Sequence, residues 1–151
     1  MSKKNSNVIL ENNFKDYKEL FHIYTVFKNR LKYFKKKVFL IAVSGGPDSL
    51  ALTAMAKSYS KKNKCKIYYV LVDHNLRKNS SREAKSVKKL LKLHQISLSI
   101  LKNKKVIKKN IQSEARVVRY NLLTAFCKKR KIKTILTAHN LEDQVETFFI
   151  R

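Results

Sequence analysis

Apolar residues in this chain follow two patterns, continuous runs and helical repeats. The continuous runs span Val38 to Val43, Lys66 to Val72, Ile96 to Leu101 and a shorter stretch at Thr134 to Ala138. Short, largely uninterrupted apolar runs are typical of strands that are covered on both faces in a parallel sheet. The pattern therefore predicts four buried strands.

Helical repeats separate these runs. Leu50 to Tyr59, Ser80 to His94 and Ile111 to Lys129 each follow a predicted strand, and a further helix is expected to begin near Leu141. Regular alternation of strands and helices predicts right-handed crossovers and an α/β fold, an open, doubly wound parallel sheet with helices on both faces. Ligands of such folds bind beyond the carboxyl ends of the strands.

An amphipathic helix is predicted ahead of the first strand, with an aromatic stripe that we expect to pack on the core. We assign residues 1–37 to this N-terminal helix and residues 38–151 to the main domain. The helical pattern continues to Arg151 without a capping signal, so the domain is expected to be incomplete at its C-terminus. The stripe consists of Phe14, Tyr17, Leu20, Phe21, Tyr24, Phe27, Leu31 and Phe34.

Composition adds a strong positive charge to this picture. The chain has 151 residues, 35 Lys and Arg against 10 Asp and Glu, and a formal net charge of +25. Such a field attracts polyanions, which makes RNA or DNA the leading partner, although a biased composition is an alternative explanation. No apolar run approaches the roughly 20 residues that span a bilayer. Cys65 and Cys127 alone provide neither a disulfide framework nor a zinc site, so we expect a cytoplasmic protein without membrane contact.

The two glycines and the single proline are consecutive, in the segment Ser44-Gly45-Gly46-Pro47-Asp48-Ser49 between the first strand and the next helix. Glycine permits a tight turn and brings backbone N–H groups close to a ligand. Proline suits the first helical turn, and a helix N-terminus favours anions. The segment predicts a phosphate site, with a purely structural turn as the alternative. It matches neither the Walker A pattern nor the dinucleotide-binding fingerprint.

Asp73 and His74 follow the second strand, where they could contact adenine or ribose or could form a turn held by Asx hydrogen bonds. On the long helix, Gln112, Arg116 and Arg119 lie on one face, so the arginines are expected to project together. They could contact phosphate or the activated base, or form an exposed basic face.

The last polar segment places His139, Asp143 and Glu146 on one side of a helix start. Two carboxylates and an imidazole near a triphosphate could coordinate magnesium, position a nucleophile or accept its proton. A capped helix start with solvated acids is the alternative. The residues alone leave these roles open.

The order and spacing of four segments resemble the tRNA(Ile)-lysidine synthase family of PP-loop ATP pyrophosphatases. The resemblance runs from about Val38 to Arg151. It implies that residues 38–151 are a PP-loop ATP-binding catalytic domain that adenylates the wobble cytidine of a minor isoleucine tRNA and joins free lysine to it. Lysidine, AMP and pyrophosphate would be the products. The segments are Ser44 to Ser49, Val72 to Arg77 (VDHNLR), Gln112 to Tyr120 (QSEARVVRY) and Ala138 to Thr147 (AHNLEDQVET).

The resemblance also implies residue roles, with ATP and magnesium as cofactors. ATP would be held by Ser44, Gly45, Gly46, Pro47, Asp48 and Ser49 together with Asp73 and His74. Catalysis would involve Asp48, Arg119, His139, Asp143 and Glu146, and magnesium would bind Asp48 and Asp143. The family's usual Asp-Asp-Gln is Glu142-Asp143-Gln144 here, which puts a role for the first acid in doubt.

Two alternatives remain open. One is another PP-loop tRNA-modifying or amide-forming enzyme, such as a tRNA thiolase or an amide-forming ligase, although isolated cysteines disfavour a thiolase. The other is a non-catalytic basic RNA-binding fragment that keeps this fold without ATP affinity. For the chain alone we expect at most weak ATP binding.

Overall fold

The structure is a computed structural model that describes residues 17–34, 38–76, 79–104 and 110–139. Four helices and four strands alternate along these segments. None of the helices in the described segments has the length and apolar character needed to cross a membrane. The elements are α1 Lys18–Tyr33, β1 Val38–Val43, α2 Pro47–Lys62, β2 Lys66–Asp73, α3 Ser80–Leu93, β3 Leu98–Lys102, α4 Ile111–Arg130 and β4 Ile135–Thr137.

The four strands form one parallel sheet in the order β3-β2-β1-β4. From β1 the chain winds outward through β2 to β3, and α4 then carries it back to β4 on the other side of β1. The direction of winding therefore reverses between β1 and β4, the position where open α/β sheets bind ligands. This arrangement confirms the predicted open parallel sheet.

Two apolar layers cover the sheet, one on each face. On one face, Ile41 and Leu71 pack against Leu52 of α2 and Leu91 of α3. On the other face, α4 packs on β1 and β2 through the residues Leu40, Val70, Leu123, Phe126 and Cys127. Helices therefore lie on both faces, as predicted. Truncating a buried leucine such as Leu123 to alanine should cost about 2–5 kcal/mol.

The strand boundaries agree with the apolar runs to within two residues. β3 begins at Leu98 and not at Ile96, because Ile96 belongs to the cap of α3. Its N–H donates to the Leu91 carbonyl at 2.9 Å, after Gln95 turns the chain with a φ of 57°. A left-handed residue followed by such a bond is a common helix ending. β4 is shorter than predicted, at Ile135–Thr137.

Helix α1 packs beside β1 through Leu31 and Phe27, which contact Phe39 and Tyr59. Its aromatic stripe was expected in the core, and that expectation holds for only part of it. Leu20 remains 44% exposed, whereas the packing of α1 on the described elements involves Phe27 and Leu31. Phe21 and Phe34 are also exposed. Phe14 and the helix predicted near Leu141 lie outside the described residues.

Candidate functional site

The loop between β1 and α2 is only three residues long, Ser44 to Gly46. Gly46 is the N-cap residue of α2, in an extended conformation, and Pro47 is the first residue of the helix. Gly45 has a φ of +93°, a backbone conformation that residues other than glycine rarely adopt. The loop therefore turns directly from the sheet into a helix N-terminus.

Ser49 holds this loop in shape from within the first turn of α2. Its buried Oγ accepts hydrogen bonds from the N–H groups of Ser44 at 3.2 Å and Gly45 at 3.1 Å, and donates to the Gly46 carbonyl at 3.0 Å. Two of the N–H groups expected to meet phosphate are thus used by Ser49. The N–H groups of Asp48 and Ser49 lie in the first turn, where helical N–H groups lack an acceptor within the helix. These are the donors best placed for an anion.

The two glycines differ in how much room surrounds them. A Cβ atom on Gly45 would lie 2.9 Å from Cγ2 of Val87 on α3, whereas one on Gly46 would meet only the Ser44 hydroxyl at 3.7 Å. Gly45 is therefore required both by its φ and by the close approach of α3. Gly46 is required by neither.

A cleft of about 290 Å³ opens at the carboxyl ends of β1, β2 and β4. It lies at the reversal point between β1 and β4, between the start of α3 and the middle of α4. Among the predicted site residues, it is lined by Ser44, Ser49, Asp73, His74, Arg119 and His139. Four separate segments of the sequence thus supply one cleft.

Several predicted site residues are placed differently. Gly45, Gly46 and Pro47 stand beside the cleft without lining it. Asp48 is exposed at the start of α2, next to the cleft-lining Ser49. The other two predicted carboxylates, Asp143 and Glu146, lie outside the described residues.

Asp73 is a buried carboxylate whose two oxygens are both hydrogen-bonded. Oδ2 accepts from Ser81 Oγ at 2.6 Å, and Oδ1 accepts from the Asn75 N–H at 3.0 Å, which is an Asx turn. Burial raises the pKa of Asp73. The hydrogen bonds from Ser81 and Asn75, aided by the charge of Lys102, lower that pKa by more than burial raises it, and the pKa is below its usual value. These bonds tie the end of β2 to the start of α3. The contacts of Asp73 are therefore those of a turn held by Asx hydrogen bonds, which the sequence offered as the alternative to contact with adenine or ribose.

His74 and Arg119 form a pair in the cleft. The Nε–H of Arg119 donates to Nε2 of His74 at 3.3 Å. Burial lowers the pKa of His74, and the charge of Arg119 lowers it further against an opposing effect of Asp73. A neutral imidazole that accepts at Nε2 carries its proton on Nδ1. That Nδ1 is buried and has no hydrogen-bond partner among the described residues, so the imidazole carries one unsatisfied donor.

The two arginines of α4 are close enough that, besides burial, the charge of Arg116 lowers the pKa of Arg119, but they make different contacts. Arg119 lines the cleft, while the guanidinium of Arg116 stacks over the Tyr120 ring, 5.5 Å from its centroid. Burial lowers the pKa of Arg119, yet a guanidinium keeps its charge in proteins. The Nε atom is engaged by His74, which leaves the two terminal nitrogens as the fork that a phosphate or carbonyl oxygen can meet.

Sequence reasoning missed two residues that support the site. Asn103, buried just after β3, donates its N–H to the Asp73 carbonyl at 2.9 Å and its Nδ2 to the His74 carbonyl at 3.3 Å. Ser81 is the second, through its bond to the Asp73 carboxylate. The available signal was position, since Asn103 is an uncharged polar residue at the carboxyl end of a parallel strand.

Within the described segments no group of three His, Cys, Asp or Glu side chains could hold a metal ion. Magnesium commonly binds through one or two carboxylates together with substrate phosphates and water. The exposed Asp48 beside the loop fits that manner of binding.

Comparisons with known proteins agree with this geometry. The family model described as "PP-loop domain" matches residues 18–151. Curated relatives include tRNA(Ile)-lysidine synthases from Orientia tsutsugamushi (strain Boryong), 43% identical over 114 residues, and from Wolbachia pipientis wMel, 42% identical over 114 residues. These matches take in 74% of this chain but 25% and 26% of the relatives. The chain thus spans about a quarter of their length.

A solved structure with the same fold is the U34-tRNA thiolase NcsA from Methanococcus maripaludis with its [4Fe-4S] cluster. It superimposes with a TM-score of 0.62 at 20% sequence identity, covering 75% of this chain and 43% of that chain. At this identity the likeness concerns the fold alone. The α/β architecture and the family match over most of the sequence lead to one conclusion, that this chain belongs to the PP-loop domain family.

Proposed function

We propose that this chain provides the ATP site of a tRNA(Ile)-lysidine synthase. The reaction would be ATP-dependent ligation of lysine to the wobble cytidine of a minor isoleucine tRNA, giving lysidine, AMP and pyrophosphate. The observation that carries the proposal is the cleft, where the PP-loop, the His74–Arg119 pair and His139 meet at the reversal point of the sheet. The similarity of about 40% to lysidine synthases supports this choice of substrate.

ATP would bind with its phosphates against the start of α2. A helix N-terminus carries about half a positive charge, and the first-turn N–H groups of Asp48 and Ser49 add direct donors. The bonds from Ser49 Oγ hold the loop in shape before the nucleotide arrives. Asp48 would place magnesium against the phosphates, and the ion would supply charge neutralisation as pyrophosphate leaves.

The reaction would proceed in two displacements. First, the O2 atom of cytidine attacks the α-phosphorus of ATP, and the bond to pyrophosphate breaks. Next, the lysine side-chain amine would attack C2 of the cytidine. The C2–O2 bond would break, and AMP would leave carrying that oxygen. The amine proton would pass to a base on the side of His139, Asp143 and Glu146. Arg119, positioned by neutral His74, would stabilise the negative charge that develops on the phosphorus oxygens.

The described contacts disfavour a thiolase. Cys127 of α4 is buried in the core between α4 and the sheet, and half-buried Cys65 packs near Tyr59, so both lie away from the cleft. Burial raises the pKa of both thiols, whereas a nucleophilic cysteine needs an accessible, stabilised thiolate. This part of the protein thus provides no sulfur nucleophile at the ATP site.

The proposal is tested with radiolabelled lysine and minor isoleucine tRNA, using the full-length protein. We expect ATP-dependent lysine incorporation that Asp48→Asn lowers by at least about 10²-fold, since a charge at the phosphates is lost. RNA affinity should stay within about threefold, because Asp48 would contact the nucleotide and not the RNA. Absence of lysine incorporation by the wild-type protein would refute the synthase assignment. ATP affinity without incorporation would favour another PP-loop enzyme, and RNA binding without ATP affinity would favour the non-catalytic alternative.

A further inference from the structure

In the described segments, the acidic residues of the sheet and its crossover helices lie at one end of the sheet. Asp48, Glu83 and Glu114 lie in the first turns of α2, α3 and α4, and Asp73 ends β2. The remaining acid of the described segments, Glu19, lies in the first turn of α1. Where α2, α3 and α4 end and the strands begin, the described segments therefore contain no carboxylate side chain.

That opposite end is densely cationic. The first residues of β1 and β2 lie side by side there, since Val38 is in register with Lys66. The neighbouring strand β4 enters at the same end, where the Thr134 carbonyl accepts from the Leu40 N–H. Ten exposed cations, which we name the basic face, belong to this end: Lys61, Lys62, Lys64, Lys66, Lys92, Lys128, Lys129, Arg130, Lys131 and Lys133.

Helix dipoles explain only a small part of this charge. The C-terminus of a helix carries about half a negative charge, so three helix ends amount to roughly minus one and a half against ten cations. A lysine-rich composition would explain abundant cations, but it would not explain why the acids of α2, α3 and α4 all lie at the other end. The excess positive charge is therefore a property of the folded surface.

Two of these cations are held on one aromatic ring. Lys66 Nζ lies 5.1 Å and Arg130 Cζ 5.7 Å from the centroid of the Tyr68 ring. Arg130 also covers the Phe126 ring at 3.8 Å, and the two rings meet edge to face. Cation–π contacts hold both charges in place. Because these two positive charges repel each other, binding of an anion that contacts both Lys66 and Arg130 would be favourable. The planar guanidinium of Arg130 suits a phosphate group.

We propose that the basic face is a second RNA-binding surface, one that contacts the phosphodiester backbone without reading sequence. Strands of six and eight residues separate it from the cleft by roughly 20 Å or more, which exceeds two Debye lengths at physiological salt. The surface therefore acts independently of ATP. With the proposed function it shares only the class of partner, RNA.

The test compares two triple variants that remove equal charge. Lys66→Gln/Arg130→Gln/Lys133→Gln alters the basic face, and Lys85→Gln/Lys88→Gln/Lys89→Gln alters exposed positions within α3. Affinity for a single-stranded RNA of mixed sequence is measured by fluorescence anisotropy at several salt concentrations. The first variant should bind at least about tenfold more weakly, and its slope of log K against log salt should fall by about two. The α3 variant should change affinity less than about threefold.

Equal weakening by both variants would show an effect of net charge alone and would overturn the proposal, as would no effect of either. Equally effective displacement by poly-glutamate would assign the surface to an acidic protein instead. Lys128→Gln/Lys131→Gln/Lys133→Gln leaves the aromatic cluster intact and repeats the test if the first variant folds poorly. ATP titration of the same proteins is a separate readout, so failure of the proposed function would not be mistaken for failure of this one.

Discussion

The cleft and the basic face occupy opposite ends of one sheet and have opposite physical character. In the cleft, polar groups are half-buried or buried and held by specific bonds, such as those of Asp73 with Ser81 and Asn75. On the basic face the cations are exposed and lie without carboxylates between them in the described segments. A parallel α/β unit produces this difference because its crossover helices all begin at one end of the sheet and end at the other.

The difference has consequences for binding. Contacts made by a few oriented groups in a cleft depend steeply on geometry. Contacts made by many exposed charges depend on salt and hardly on the position of any one charge. Single substitutions should therefore have large effects at the cleft and small ones on the basic face.

The largest effect is expected at Arg119. Arg119→Lys removes both the donor to His74 and the guanidinium fork, so lysine incorporation by the full-length protein should fall about 10²–10³-fold. Single-turnover kinetics at saturating ATP measure this loss. Arg116→Lys is the matched control, because Arg116 stacks on Tyr120 outside the cleft, and its effect should stay below about threefold. Equal losses of lysine incorporation would mean that Arg116 and Arg119 act together at the site.

A smaller effect, on stability, distinguishes the two loop glycines. Gly45→Ala places a Cβ against Val87 and strains a φ of +93°, so the free energy of unfolding should fall by roughly 2–4 kcal/mol. Gly46→Ala should cost about 1 kcal/mol or less, because its extended backbone accommodates a side chain. Urea denaturation followed by circular dichroism measures both. Equal losses would contradict the close approach of α3 to the loop.

The smallest expected effect is a pH dependence from His74. Its pKa is lowered in the folded protein by burial and by Arg119. Below pH about 6.5, His74 is therefore protonated in the unfolded chain but less so in the folded protein. As the pH falls, the free energy of unfolding decreases by up to about 1.4 kcal/mol per pH unit. The lowered pKa of Asp73 adds its own loss only below pH about 4.

Urea denaturation at pH 7.5, 6.5 and 5.5 checks this dependence. His74→Gln should lose part of it, whereas His94→Gln, altered at an exposed side chain, should keep it. If both variants behaved alike, acid destabilisation would arise from the overall positive charge and not from the cleft.

Much of this architecture was readable in the sequence because it depends on local chemistry. The run Val38 to Val43 became β1 without change, since a continuous apolar run has few other stable environments. Gly45, Gly46 and Pro47 marked the loop because the chain has no other glycine or proline to make such a turn. The order of the four segments was sufficient to indicate the PP-loop family.

The details of the site required the tertiary structure, because they depend on how elements rotate and meet. Packing of Leu123 beneath the sheet sets the rotation of α4, and that rotation turns Arg119 into the cleft while Arg116 stays on Tyr120. Asn103 reaches Asp73 only because β3 lies beside β2. The sequence thus determined which elements form in the described segments and which loop joins β1 to α2. The packing of those elements decided which side chains reach the cleft and placed the exposed cations of the basic face at the opposite end of the sheet.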